Sequence, residues 1–257
     1  MTNKAAHGGK GALVAMIASV ASADISEVLC TGIPLNIRIK VKEVTSDLSS
    51  AMMESVRLSF PRSILVNDRF HVQQLFNEAM DDVRIDIRRE VRRQEASEQE
   101  LSRENGTDFI PMKYKNGETM PQILLRTKQA LMQSKEKWSP KQVKRMEILF
   151  EHHPIMKDTY DLMQQLRRIF NQKVSHTQGG LLLAKWYESV LSIGRESFNT
   201  VVRTFKNNAI SILNYFRRRA TNASAESFNA KVKLFRTQLR GIKDPTFFVF
   251  RLCKIFA

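Results

Sequence analysis

Two cysteines, Cys30 and Cys253, are too few for a disulfide framework, and neither has a partner at metal-ligand spacing. That scarcity suits a reducing interior. No apolar run approaches the roughly 20 residues that a membrane-spanning helix needs. The nearest, GALVAMIASVASA from Gly11, contains Ser19 and Ser22 and is followed at once by Asp24 and Glu27. It therefore reads as a buried strand rather than as the apolar core of a signal peptide. A cytoplasmic, nucleoid-associated protein without a membrane partner is the expectation. Acidic residues are also in short supply. Against 26 Asp and Glu stand 41 Lys and Arg, a net charge of +15 over 257 residues. Such an excess selects partners rather than folds, and nucleic acid is the foremost polyanion. With 42% hydrophobic residues the chain has enough apolar material for a sizeable core.

The first seventy residues read as mixed α/β. Residues 11–19 form a continuous, mostly apolar run of strand length, and 22–33 a short helix. In 37–46, Ile37, Ile39 and Val41 alternate with Arg38, Lys40 and Lys42 as a strand with one wetter face. Residues 47–60 suggest a helix capped by Asp47 or Ser46 and stopped by Pro61, and 63–68 another short strand. Helical spacing takes over from Val72, where Phe76, Ala79, Val83 and Ile87 recur on one face and Arg84, Arg88 and Arg92 on another. Residues 97–121 are polar, with turn signals at Asn105-Gly106 and Asn116-Gly117, and predict a loop with a small hairpin around 112–120. Ser139, Pro140 and Gln142 announce a helix start by a capping box. Further helices are expected over 155–172, 181–193, 196–216 and 223–240, the last ending at Gly241, with a final apolar helix after Asp244-Pro245.

Three carboxylates stand out by position. Asp47 and Asp68 follow predicted strands, and Glu226 lies in the first turn of a predicted helix. Aspartates at the carboxyl ends of neighbouring strands converge on one rim of an α/β sheet, where hard oxygen ligands suit Mg²⁺. Each also has a plainer reading. Asp47 fits an N-cap, Glu226 a favourable helix-dipole position, and Asp68 with His71 a turn followed by an ordinary helix-start histidine. Beyond Glu226, residues Asn229, Lys233, Arg236 and Arg240 advance by three or four and share its helix face. That face suits a polyphosphate surface, or simply solvent. Phe205, Tyr215 and Phe216 lie near arginines that could frame a stacked base, with core packing as the default.

The blocks VTSDLSSAM and FPRSILVNDRFHVQQL, with ILNYFRRRATNASAESFNAKVKLFRTQLRGIKDPTFFVFRLCKIF, resemble the signature blocks of bacterial insertion-sequence transposases. The similarity is to the ISL-three family, in the form common in Bacteroidetes, and covers nearly the whole chain. It implies an α/β fold with a ribonuclease-H-like core interrupted by a large all-helical insertion. The segments would be 1–71 (first part of the core), 72–215 (insertion) and 216–257 (returning helices). It implies a DDE triad that uses two Mg²⁺ ions, or Mn²⁺ in their place, to cleave and transfer insertion-sequence ends into target DNA. Residue by residue, Asp47 matches the second aspartate and Glu226 the glutamate, both metal ligands. Asp68 and His71 match a supporting signature. The alternative alignment makes Asp68 the second triad member. Asn229, Lys233, Arg236 and Arg240 would contact DNA, and synapsis of two ends would call for a homo-oligomer.

The match departs from the family at its start. The chain begins inside what resembles the second strand, so the first strand, its catalytic aspartate and an N-terminal DNA-binding region are expected to be missing. On that expectation the polypeptide is inactive alone. The alternative is a non-catalytic basic DNA-binding protein or a remnant of a transposase gene.

Overall fold

Local capping chemistry opens several of the helices. In a computed structural model of the chain, residues 1–6, 13–17, 19–220, 223–238 and 244–256 are described. They are mostly helical, with one small sheet. The chain divides into two units, the first made of Met1–His71 with Ile210–Ala257, the second of Val72–Ala209.

In the first unit, α1 (Ser22–Gly32) and the one-turn α2 (Leu35–Arg38) precede β1 (Glu43–Ser46), α3 (Ser50–Ser59) and β2 (Ile64–Asn67). The two strands pair in parallel, with Glu43 opposite Ile64 and Ser46 opposite Asn67. Parallel strands need a crossover, and α3 supplies it. Ile25 and Leu29 of α1 meet Val56 and Phe60 at the α3 end, and Val41, Val44 and Leu65 pack against that cluster. Burying each such side chain stabilises the fold by roughly 1.5–3 kcal/mol.

Three expectations fail here. The run 11–19 forms no strand among its described residues, only a single antiparallel bridge from Leu13 to Thr2. The alternation in 37–46 gives a strand only at its end, because Pro34 opens a helical turn over Leu35–Arg38. The cap of α3 is neither Asp47 nor Ser46 but Ser49, whose hydroxyl accepts from the Met52 amide.

The 36-residue α4 (Arg69–Glu104) starts directly after Asp68 and runs eight residues into the segment expected to be a loop. Its outer half is polar all round and carries ion pairs one turn apart, Arg89 with Asp86 and Arg93 with Glu90. Around 114–118 a tight turn forms instead of a hairpin. The Gly117 amide donates to the Tyr114 carbonyl, and the turn needs the left-handed backbone (φ 78°) that glycine tolerates.

The second unit continues with α5 (Met120–Arg126), α6 (Lys128–Leu131), α7 (Pro140–His152), α8 (Pro154–Asn171), α9 (His176–Leu191) and α10 (Glu196–Asn207). Capping boxes open three of these helices: Thr119 with Gln122, Ser139 with Gln142, and Ser175 with Gln178. The centre is aromatic. Trp186 stacks on Phe205 at 5.6 Å, Phe76 lies 5.2 Å from Trp186 and 5.1 Å from Phe198, and the indole N–H donates to the Leu162 carbonyl.

Two clusters of paired charges lie inside this unit. Arg84, 5% exposed, donates to Asp81 at 2.7 Å and to the Leu124 carbonyl at 2.7 Å, and Lys128 reaches Asp81 from the other side. The arginine face read from Arg84 therefore turns inward at its first member. Glu118 accepts two hydrogen bonds from Arg145, each 2.7 Å, and one from Arg126.

Those Arg145 hydrogen bonds hold the Glu118 carboxyl down to about 2, against burial, which raises it, and Arg126 adds to the lowering. A depressed carboxylate pKa stabilises the fold fully above its unfolded value of 4.5, and the benefit is lost as the pH falls towards about 2. Glu118→Gln is expected to cost on the order of 2 kcal/mol at pH 7. The deficit should shrink progressively below pH 4.5 in urea unfolding. A deficit independent of pH would contradict the assignment.

Candidate carboxylate rim and basic helix

The register of the sheet decides where the candidate aspartates fall. Ser46 and Asn67 are opposite each other, and Asp47 and Asp68 each come one residue later, side by side at the carboxyl end of the strand pair. The Asp68 amide closes the ladder by donating to the Ser46 carbonyl at 3.0 Å.

The neighbours differ sharply in environment. Asp68 is 0% exposed, and its Oδ1 accepts from the Phe70 amide at 2.9 Å, the geometry of an N-cap on α4. Asp47 is half-buried, and its Oδ1 accepts from the Ser49 amide at 3.1 Å. His71, half-buried on the first turn of α4, has an Nδ1 shielded from water and, among the described residues, without a hydrogen-bond partner. The plainer readings of the two aspartates change places: Asp68, expected in a turn, caps α4, whereas Asp47, expected as an N-cap, sits in the turn before the Ser49 cap and stays the accessible one.

Asn67 fixes this rim, and its role was not legible from spacing. Buried at the end of β2, it donates through Nδ2 to the Asp47 carbonyl at 2.8 Å and to Met53 Sδ at 3.8 Å. Its Oδ1 accepts from the hydroxyl of Ser211. Ser211 belongs to α11 (Ala209–Arg218), which is also held to β2 by Asn214 donating to the Leu65 carbonyl at 2.8 Å. The available signal was a polar amide at a strand position otherwise occupied by apolar residues.

The returning helices are α12 (Ala223–Gln238) and α13 (Pro245–Phe256). Phe228 is buried against Leu13, with Val232 beside them. Turned away from that contact, Glu226, Asn229, Lys233 and Arg236 are all exposed on α12. Arg240 and the expected cap Gly241 lie outside the described residues. Among the described residues, no hydrogen bond or ion pair joins Asp47 to Glu226, and no three His, Cys, Asp or Glu side chains are grouped to hold a metal ion. The aromatic residues near the arginines are core. Phe205 is 0% exposed and Tyr215 2%, the latter flanked by the guanidinium groups of Arg69 at 5.8 Å and Arg219 at 5.4 Å.

Charge is unevenly spread. Residues 210–257 hold ten Lys and Arg and two acidic residues, more than half of the net +15. So basic a C-terminal segment points to a polyanionic partner. Comparison of the sequence with known families makes that specific. The profile of the ISL-three family of DDE enzymes, described as a transposase, matches residues 4–252, and the chain belongs to that family. No curated protein and no solved structure matches. Membership assigns the chain to DNA transposition and implies DNA as partner, and the family generally uses divalent metals. No helix among the described residues is long and apolar enough to cross a membrane.

Removing the Asn67 amide breaks its hydrogen bonds to a buried hydroxyl and to a backbone carbonyl. Asn67→Ala should cost about 2–3 kcal/mol, and Ser211→Ala about 1 kcal/mol. Because the two share one hydrogen bond, the double variant should fall short of their sum by about 1 kcal/mol. Additive losses in urea unfolding would show that the contact contributes nothing.

Proposed function

We propose that the chain supplies two carboxylates, Asp47 and Glu226, of a DDE centre for Mg²⁺-dependent cleavage and strand transfer at insertion-sequence ends. They would belong to a ribonuclease-H-like core formed by residues 1–71 and 216–257, with 72–215 as its helical insertion. The division of the chain into Met1–His71 with Ile210–Ala257 and a separate helical segment between them supports this reading.

One observation carries the choice of aspartate. Asp47 and Asp68 share a rim, but Asp68 is sealed and committed to capping α4, whereas Asp47 keeps access to solvent. A ligand that must reach a phosphate-bound ion has to be the accessible one. Asp68 and His71 then act as support, the first by fixing the start of α4.

Asp47 and Glu226 are hard oxygen donors suited to Mg²⁺ or Mn²⁺. When bound, such ions act as Lewis acids on the attacking and leaving oxygens of a phosphodiester. The chain's own residues bind and orient. Asn229, Lys233 and Arg236 project from successive turns of one exposed face, spaced to meet neighbouring phosphates, with Arg240 continuing the series in sequence. We infer that the polypeptide binds DNA through this face.

The exposure of the basic face also favours a second reading, a non-catalytic DNA-binding protein. The two readings part on metal binding. In the DNA complex, Fe²⁺ with peroxide should cut the polypeptide backbone near residues 47 and 226, and Asp47→Asn or Glu226→Gln should abolish those cuts. DNA binding without such cuts would select the non-catalytic reading. In a titration against duplex ends, the log–log salt slope should become shallower by about 1 for each of Lys233→Gln and Arg236→Gln. Salt-indifferent binding would overturn the DNA face.

A further inference from the structure

Helix α13 has a face that the proposal above leaves unused. Its buried side is Leu252 at 0% exposure, and Phe248 meets Phe235 of α12 ring to ring at 5.8 Å. On another side, Phe247, Phe250, Arg251 and Lys254 fall at helical spacing and are all exposed, the two rings at 44% and 53%. Lys254 Nζ sits 4.9 Å from the centre of the Phe250 ring. The helix begins where Asp244 Oδ1 accepts from the Thr246 amide at 2.8 Å, and from Pro245 to Phe256 it has no acidic residue.

Two large rings held in water beside two cations are costly unless something covers them. We infer that this face binds single-stranded nucleic acid. Phe247 and Phe250 would stack on bases, while Arg251 and Lys254 meet the phosphates on either side. Every base has a π-face, so stacking of this kind tolerates any sequence. The cation over the Phe250 ring polarises it and is already placed towards a backbone phosphate. A second copy of the chain is a poorer occupant, because two such faces would bring Arg251 and Lys254 of both copies together with no carboxylate between them. The rings lie about 4.5 Å apart along the helix axis, a spacing that neighbouring nucleotides of an unpaired strand can match. In transposition such a strand is what remains when an end is opened for cleavage.

This assignment rests on the nucleic-acid reading of the chain, and the test separates the two. The full polypeptide is titrated with a single-stranded oligonucleotide containing 2-aminopurine and with the duplex of the same sequence. Phe250→Ala and Phe247→Ala should each weaken single-strand binding about tenfold. Duplex binding should stay within about twofold, with the salt slope unchanged. Phe250→Leu, which keeps the apolar bulk without the ring, should behave like Phe250→Ala. Phe250→Trp should bind normally and show indole fluorescence quenched by the single strand. Circular dichroism and melting confirm that each variant folds. Equal losses on both DNA forms, no loss on either, or an unquenched Trp variant would overturn stacking while leaving DNA binding intact. So would a dimer that dissociates in Phe250→Ala, since it would make a second copy the occupant. Failure of the parent chain to bind either form at low salt would sink the nucleic-acid reading itself.

Discussion

One buried amide holds the candidate site together. A side-chain amide inside a protein is costly unless both halves are satisfied, and Asn67 satisfies both with partners from different elements. Its nitrogen fixes the backbone just past β1 by binding the Asp47 carbonyl, and its oxygen takes the Ser211 hydroxyl of α11. Two four-residue strands make a marginal sheet on their own. Here the ends of both are tied by side chains as well as by the ladder, and α11 is anchored along β2 through Asn214. The position from which the Asp47 carboxylate emerges is therefore set by packing rather than by a loop.

Charge is handled differently in the two units, and that contrast argues for the partner. In Val72–Ala209 the important cations are structural: Arg84 and Lys128 share Asp81, and Arg126 and Arg145 share Glu118. Opposed charges there are close to balance, with 23 basic and 18 acidic residues between 72 and 209. On α12 the side chains of Lys233 and Arg236 are exposed and, among the described residues, have no acidic partner. Cations that do no work in the fold gain their stabilisation from outside it. A surplus concentrated in residues 210–257 matches the condensed negative charge of a nucleic acid better than a scattered excess would.

The helices were largely legible because their signals are local. Ser139, Pro140 and Gln142 announce α7 within four residues, and the structure builds that capping box. The strands were not, because a strand is defined by a partner distant in sequence. Ile37, Lys40 and Val41 suit a half-buried strand as well as a helical turn, and Pro34 decided for the turn. The run from Leu13 to Ile17 is apolar enough for a buried strand, yet it packs as an extended cover over α1 and α3 through Ala15 and Ile17. The last two turns of α4, residues 97–104, were hidden for another reason. Ser97, Glu98, Gln99 and Glu100 carry no apolar periodicity, and in sequence they look like the polarity of a loop.

At the rim, sequence placed both aspartates correctly after strands but had no means of ranking them. Each sits directly after a strand and shortly before a helix, so spacing gives the same answer twice. What separates them is the distance to the helix that follows. Asp68 stands immediately before Arg69, the first residue of α4, and is drawn in as that helix's cap, where burial and the Phe70 amide hold it. Asp47 stands three residues before α3, and Ser49 takes the capping position in its place. A two-residue difference in linker length thus assigns one carboxylate to the architecture and leaves its neighbour accessible for chemistry.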